Sequence, residues 1–164
     1  MNDERWRPNV TVAAVIEEGG RYLLVEEETA EGLMLNNPAG HLDPGESPLE
    51  AVVREALEET ARAFVPEALL GLYMARFVRP VRGEDVTYLR LAFCGRVGEA
   101  IAGRALDRGI HRTLWMDIED LRASQARHRS PLLLRCIEDH RAGRRLPLDA
   151  VSVDPSLYAP LVKG

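Results

Sequence analysis

The sequence predicts an α/β (α+β) fold, in which a mixed central sheet is covered by helices on both faces. Strand-like apolar runs outnumber helical patterns. The helical patterns are interspersed among the strands rather than gathered in one block. No shift in composition marks a boundary within the 164 residues, a length that suits one domain, 1–164, with a sizeable core.

Taken in order, "NVTVAAVIE" (Asn9 to Glu17) is β-branched and apolar and reads as a buried strand. A turn ends at Gly20, and "RYLLVEE" follows as its hairpin partner. Glu28 to Pro38 reads as a polar loop holding one apolar patch, "LML". Then comes "GHLDPGESPLEAVVREALEETAR", Gly40 to Arg62. Pro44-Gly45 marks a turn. Ser47, Pro48 and Glu50 form a capping box, with Ser47 as N-cap, Pro48 at the first helical position and Glu50 reaching back. At about 100° per residue, Leu49, Val52, Val53, Ala56 and Leu57 make an apolar face for the sheet. Glu55, Glu58 and Glu59 then cluster on the opposite side, with Arg54 beside them.

Beyond the helix, Glu67 to Pro80 reads as a strand broken at Gly71. Arg82 to Asp85 is a turn, and "VTYLRLAFCGRV" completes a second hairpin. Gly98 to Arg112 is a loop carrying Glu99 and Asp107. "TLWM" is a short strand with Trp115 as a core residue. Asp117 caps a helix "IEDLRASQ". Ser130 as N-cap and Pro131 at the first position open the helix "PLLLRCIEDHRA", which stops at Gly143. The tail, 144–164, has no clear periodicity and either packs over the domain or lies loose.

The net charge of -5 weighs against a general nucleic-acid binder, which would carry a basic footprint. Cys94 and Cys136 belong to no CxxC pair, so a zinc site is not expected. With no apolar leader segment, they read as buried, reduced thiols of a cytoplasmic protein. No apolar run approaches the roughly 20 residues of a membrane span.

The acid ridge is the chemical signal. Like charges at i, i+3 and i+4 cost a helix a few tenths of a kcal/mol per pair. A solvated face would intersperse lysines, and this one has a single Arg. A hard divalent cation resolves the crowding, because Mg²⁺ takes oxygen ligands from carboxylates and substrate phosphates.

The segment resembles the Nudix box, G, five residues, E, seven residues, then R-E-U-x-E-E-x-G-U, with U bulky and apolar. Gly40, Glu46, Arg54, Glu55, Glu58 and Glu59 match it. Ala61 stands where the final Gly belongs, Arg62 where an apolar residue belongs, and Ala56 is a small member of its class. Ala61 must leave the helix with less freedom at φ > 0 than glycine has. The resemblance runs from about Arg7 to Asp149 and points to a bacterial phosphatase subgroup of that family.

That resemblance implies an α/β/α sandwich and hydrolysis of nucleoside tri- and diphosphates and of hydroxymethylpyrimidine pyrophosphate. It implies Mg²⁺, or Mn²⁺, held by Glu55, Glu58, Glu59 and the Gly40 carbonyl. Arg54 would orient the box glutamates, and Glu46 would support the loop and helix. The general base would be Glu55 or Glu59, or an acid outside the box, for which Asp107 and Glu99 are candidates. His41 could contact phosphate. Tyr88 and Arg90 alternate on one strand face, where Tyr88 could stack a ring or simply pack, and Arg90 could hold a phosphate. "RHRS" (Arg127 to Ser130) sets cations at a helix start. The only partner expected is a small pyrophosphate substrate, with no nucleic-acid polymer and no membrane, and a monomer is favoured over a homodimer. Two other classes share the fold: a nucleotide-sensing module without turnover, and an isomerase of isopentenyl diphosphate, which would need a reactive Cys such as Cys94.

Overall fold

The computed structural model describes residues 5–79 and 83–161. Seven strands form a mixed sheet, β1 (Asn9–Glu18), β2 (Arg21–Thr29), β3 (Gly32–Asn36), β4 (Ala39–His41), β5 (Phe64–Arg79), β6 (Glu84–Val97) and β7 (Ile110–Asp117). The main path runs β3-β2-β1-β6-β5, with β4 paired to β1 and β7 to β2. β1 and β6 are parallel, and the other pairs are antiparallel. Helix α1 (Pro48–Thr60) packs on one face through Val52 and Ala56, against Val12, Leu91 and Phe93. Helices α2 (Ile118–Ala123) and α3 (Leu132–Arg141) cover the other face, with Leu121, Leu133 and Ile137 against Ala13, Leu24 and Ala92. This is the α/β/α sandwich.

The expected first hairpin is only a stub. β1 and β2 pair at Glu17↔Tyr22 and Glu18↔Arg21, then diverge. Each strand is buried over five or more successive residues and takes further neighbours, β1 joining β4 and β6 and β2 joining β3 and β7. The loop expected over "LML" is instead strand β3, which pairs with β2 from Val25↔Asn36 to Thr29↔Gly32 and buries Leu35 completely. The glycine stretch also contains a strand, β4, held by Val12↔Gly40. Gly71 is a bulge rather than a break, with a register shift between Leu69 and Gly71. Strand β7 begins at Ile110, earlier than "TLWM", because β2 supplies partners as far as Glu27. The turn expected at Arg82 to Asp85 lies partly outside the described residues.

Helix α1 starts as its sequence dictates. The Ser47 amide donates to Glu50 Oε2 at 2.7 Å, and the Glu50 amide donates to Ser47 Oγ at 3.2 Å. Its faces are rotated from the expectation. Val53 is 36% exposed, whereas Glu55 and Glu59 are buried at 8% and 6%. The acids therefore do not lie opposite the core, but on the flank that closes against β4. Helix α3 begins one residue late, at Leu132, with Pro131 at the cap position, and Ser130 Oγ accepts from the Leu132 amide at 3.1 Å. Gly143, at φ 83, ends it as expected.

The tail packs over the domain through its described part. Leu69 and Leu146 exchange backbone hydrogen bonds of 2.9 and 2.8 Å, and Tyr158 donates to Glu50 at 3.0 Å. Cys94 and Cys136 are buried free thiols. Trp115 is only partly buried, with the Arg62 guanidinium 5.8 Å from its ring centroid. No helix among the described residues is long and apolar enough to cross a membrane.

Ala61 is the helix C-cap, at φ 56 and ψ 27, and no other described non-glycine residue has positive φ. An L-residue there costs about 1–2 kcal/mol relative to glycine, partly offset by the greater chain entropy that glycine loses. Ala61→Gly is expected to raise the urea midpoint at unchanged slope, a stabilisation of up to about 1 kcal/mol. A lowered midpoint would mean that the buried methyl outweighs the strain.

Candidate active site

Arg54 is the hub of the site. Its Nε and Nη2 reach Glu46 Oε2 and Oε1 at 3.0 and 2.7 Å. Nη1 donates to Glu55 at 2.8 Å and to Glu58 at 3.1 Å. Nη2 also donates to the His41 carbonyl at 3.0 Å. One guanidinium thus ties the glycine loop to the acid ridge, using the planar fork that lysine lacks. Arg54 holds the Glu46 carboxyl below its usual range, helped by the Asp43 amide at 2.8 Å.

The buried acids behave oppositely. Burial pushes Glu55 up, Arg54 offsets only part of this, and Glu58 and Asp107 add to the rise. Glu59 is pushed up to about 9, first by burial, with Glu27, Glu55 and Asp107 adding repulsion against the single Ala39 amide that donates to it at 2.9 Å. Gly40 completes the wall. A Cβ there would stand 2.1 Å from the Glu55 carboxyl carbon, so only glycine lets the β4 backbone lie against that carboxylate.

A cleft of ≈ 400 Å³ opens beside these groups. Of the residues expected from sequence it brings together Gly40, His41, Glu55, Glu59, Tyr88, Arg90 and Asp107. Glu46 lies behind Arg54, and Glu58 is held by Arg54 rather than lining the cleft. Glu99 stays outside, exposed on the loop. The loop explains the difference between its two acids. The Asp107 amide donates to the Glu58 carbonyl at 2.8 Å, which docks Asp107 against the end of α1, whereas neighbouring Ile101 is tied back to Ala61.

The far side of the cleft holds Arg90, 6% exposed, whose Nη1 and Nη2 reach the side-chain oxygens of Asn37 and Asn36 at 3.3 Å. Tyr88 both lines the cleft and packs, its ring centroid 6.2 Å from His41 and 5.8 Å from Phe77. Of "RHRS", Arg129 and Ser130 reach the cleft, while Arg127 joins Arg112 in clamping the buried carboxylate of Glu26. Glu27, Asn36, Phe77 and Arg129 line the cleft without having been singled out one by one from sequence. Reading β3 as a loop hid Asn36, and nothing local in the sequence marks Glu27.

The donor set suits a hard cation. Glu55, Glu58, Glu59 and the Gly40 carbonyl offer only oxygen, which fits Mg²⁺ or Mn²⁺. Among the described residues no three His, Cys, Asp or Glu side chains already converge on one point, since Arg54 draws Glu55 and Glu58 to itself.

A family model described as NUDIX domain matches residues 5–136. The phosphatase NudJ of Escherichia coli K12 is 31% identical over 160 residues, covering 97% of this chain and 98% of that one. Among solved structures, a NUDIX hydrolase from Nitrosomonas europaea is 50% identical with a TM-score of 0.82, covering 90% of this chain and 98% of the other. An ADP-ribose pyrophosphatase from Streptococcus suis, 18% identical with a TM-score of 0.61 and covering 82% and 93%, shares the fold alone.

Glu59 has its folded-state pKa raised from 4.5 to about 9, so its contribution to stability is intact below the unfolded value and lost as pH rises towards 9. In the absence of divalent cation, the melting temperature should fall across that window, and Glu59→Gln should flatten the fall. A variant with the wild-type slope would show that Glu59 is not the strained group. Gly40→Ala should cost about 1–3 kcal/mol by overpacking, read in urea unfolding. Wild-type stability there would show that the wall yields.

Proposed function

The chain belongs to the Nudix family and is a hydrolase of phosphoric anhydrides, and from that premise we propose that it cleaves small pyrophosphates with the help of a divalent cation. Nucleoside tri- and diphosphates and hydroxymethylpyrimidine pyrophosphate are the substrates that the NudJ likeness puts first. The observation that carries the proposal is Glu59, a carboxyl group buried in the cleft wall with no side-chain cation paired to it among the described residues. Ionising that carboxyl without a counter-charge would cost several kcal/mol, a cost that a bound cation would offset. A site that keeps such a group beside three further acids is built for an external cation.

Glu55, Glu58, Glu59 and the Gly40 carbonyl would hold that cation, Mg²⁺ or Mn²⁺. Once bound, it neutralises phosphate charge and lowers the pKa of the attacking water. The protein's own groups do the rest. Arg54 keeps Glu55 and Glu58 turned to one side, and Glu46 anchors Arg54 to the loop. The proton of the attacking water passes to a carboxylate facing the cleft. Glu55, Glu59 and Asp107 face it, and Glu99 does not. His41 sits where it can donate to a phosphate oxygen. Tyr88 offers a ring face for the organic part, and Arg90 a charge-assisted donor for its phosphate.

A monomer is the favoured state, and the buried free thiols fit a cytoplasmic setting. Cys94 is buried, its thiol is pushed up by burial, and it does not line the cleft, which removes the nucleophile that an isomerase would need.

The test is release of phosphate and pyrophosphate from these substrates with Mg²⁺ and with chelator. Glu58→Gln and Glu59→Gln should each cut metal-dependent release by roughly 100-fold or more, while each folds at least as stably as wild type without metal. Full turnover in either variant would remove that residue from the site.

A further inference from the structure

The cleft has two chemically different ends, and the sheet register shows why. Arg90, Thr11 and His41 lie in one row across β6, β1 and β4. Two residues further along, Ala92, Ala13 and Ala39 belong to the core under α3. Side chains two apart on a strand share a face, so Arg90 lies on the α3 face. The neighbouring row, Leu91 and Val12 with Gly40, belongs to the face under α1, where the acids are. The cleft therefore bends round the β4 edge, with carboxylates on one side and Arg90 on the other.

Arg90 is as unusual as Glu59, with the opposite sign. It is 94% buried by its 6% exposure, and no carboxylate among the described residues lies within ion-pair distance. Two amide oxygens at 3.3 Å are long, neutral partners, and its Nε is buried without any hydrogen bond. A buried guanidinium lacking a counter-charge is costly unless an anion completes it. Arg129 stands on the same side. Its Nε is 3.4 Å from Glu27, longer than the roughly 2.7–2.9 Å of a charge-assisted bond. Glu27 is shared with the Asn36 amide at 3.1 Å. Arg129 is held in place by its own amide, which donates to the Leu35 carbonyl at 2.8 Å, and by the neighbouring clamp of Arg127 on Glu26.

We propose that the α3 side of the cleft is a second anion subsite, built by Arg90 and Arg129, for a phosphate or carboxylate on the part of the substrate that is not cleaved. Assigning that anion to a substrate rests on the hydrolase reading. The preferred substrate class is then a pyrophosphate whose organic half bears a negative group of its own. Arg90 and Arg129 are specificity determinants for it, and the acid end takes the pyrophosphate.

The subsite can be tested without turnover. Inorganic phosphate is titrated into metal-free protein in chelator, followed by calorimetry, with acetate in a parallel titration. Without cation the acid end repels anions, so saturable binding reports the basic end. Binding in about the millimolar range is expected, weakened about tenfold by Arg129→Gln and not weakened by Glu59→Gln. Phosphate alone, or both anions, supports the subsite and identifies its ligand. Arg129→Lys, which keeps the charge, should bind better than Arg129→Gln, which separates charge from a folding defect. No saturable binding, or equal affinity in Arg129→Gln, overturns the proposal. With Mg²⁺, the preference in kcat/KM for nucleoside 5′-diphosphates that carry a 3′-phosphate over those that lack it should shrink in Arg129→Gln. That arm alone fails if the hydrolase reading fails, since the chelator titration needs no turnover.

Discussion

The ion pairing around Arg54 is the constraint on which the site depends. A helix with acids at i, i+3 and i+4 repels itself, and two of those acids are turned into the protein rather than out to water. Arg54 compensates Glu55 and Glu58 and anchors both to the loop through Glu46 and the His41 carbonyl. It does not compensate Glu59, whose recorded partner is the Ala39 amide. One guanidinium thus faces three carboxyl groups, Glu46, Glu55 and Glu58, with Glu59 beyond its reach, and the proposed external cation would offset that excess of acids.

The fold serves this balance by position. Gly40 brings the β4 backbone against Glu55 at a distance that no side chain would allow. Strand β4, short as it is, lies between the α1 face and the α3 face and lets one cleft reach both. The acid end and the basic end are therefore set by the pairing of β4 and β6 with β1, not by loop conformation.

Local features were legible in the sequence and long-range ones were not. The capping box of Ser47 and Glu50 could be read from spacing, and the positive φ of Ala61 from the resemblance to the Nudix box, which has glycine there. The clustering of Glu55, Glu58 and Glu59 also followed from helical spacing, and their roles from the resemblance. The rotation of α1 could not, because Glu59 is drawn inward by an amide twenty positions away in β4. Periodicity alone places Val53 on the core face, and packing leaves it exposed. The divergence of β1 from β2 depends on partners at β6 and β7, far along the chain, whereas β3 pairs with its neighbour β2. Asp107 and Glu99 looked equivalent in their loop, and a single backbone bond to Glu58 separates them.

The most direct test of the central claim is a titration of metal-free protein with Mn²⁺, followed by its paramagnetic signal. If the acids are gathered for a cation, wild type should bind Mn²⁺ saturably and Glu59→Gln should bind it at least about tenfold more weakly, a difference of about 1.4 kcal/mol. Equal binding by both proteins would contradict the claim and leave Glu59 as a strained structural residue.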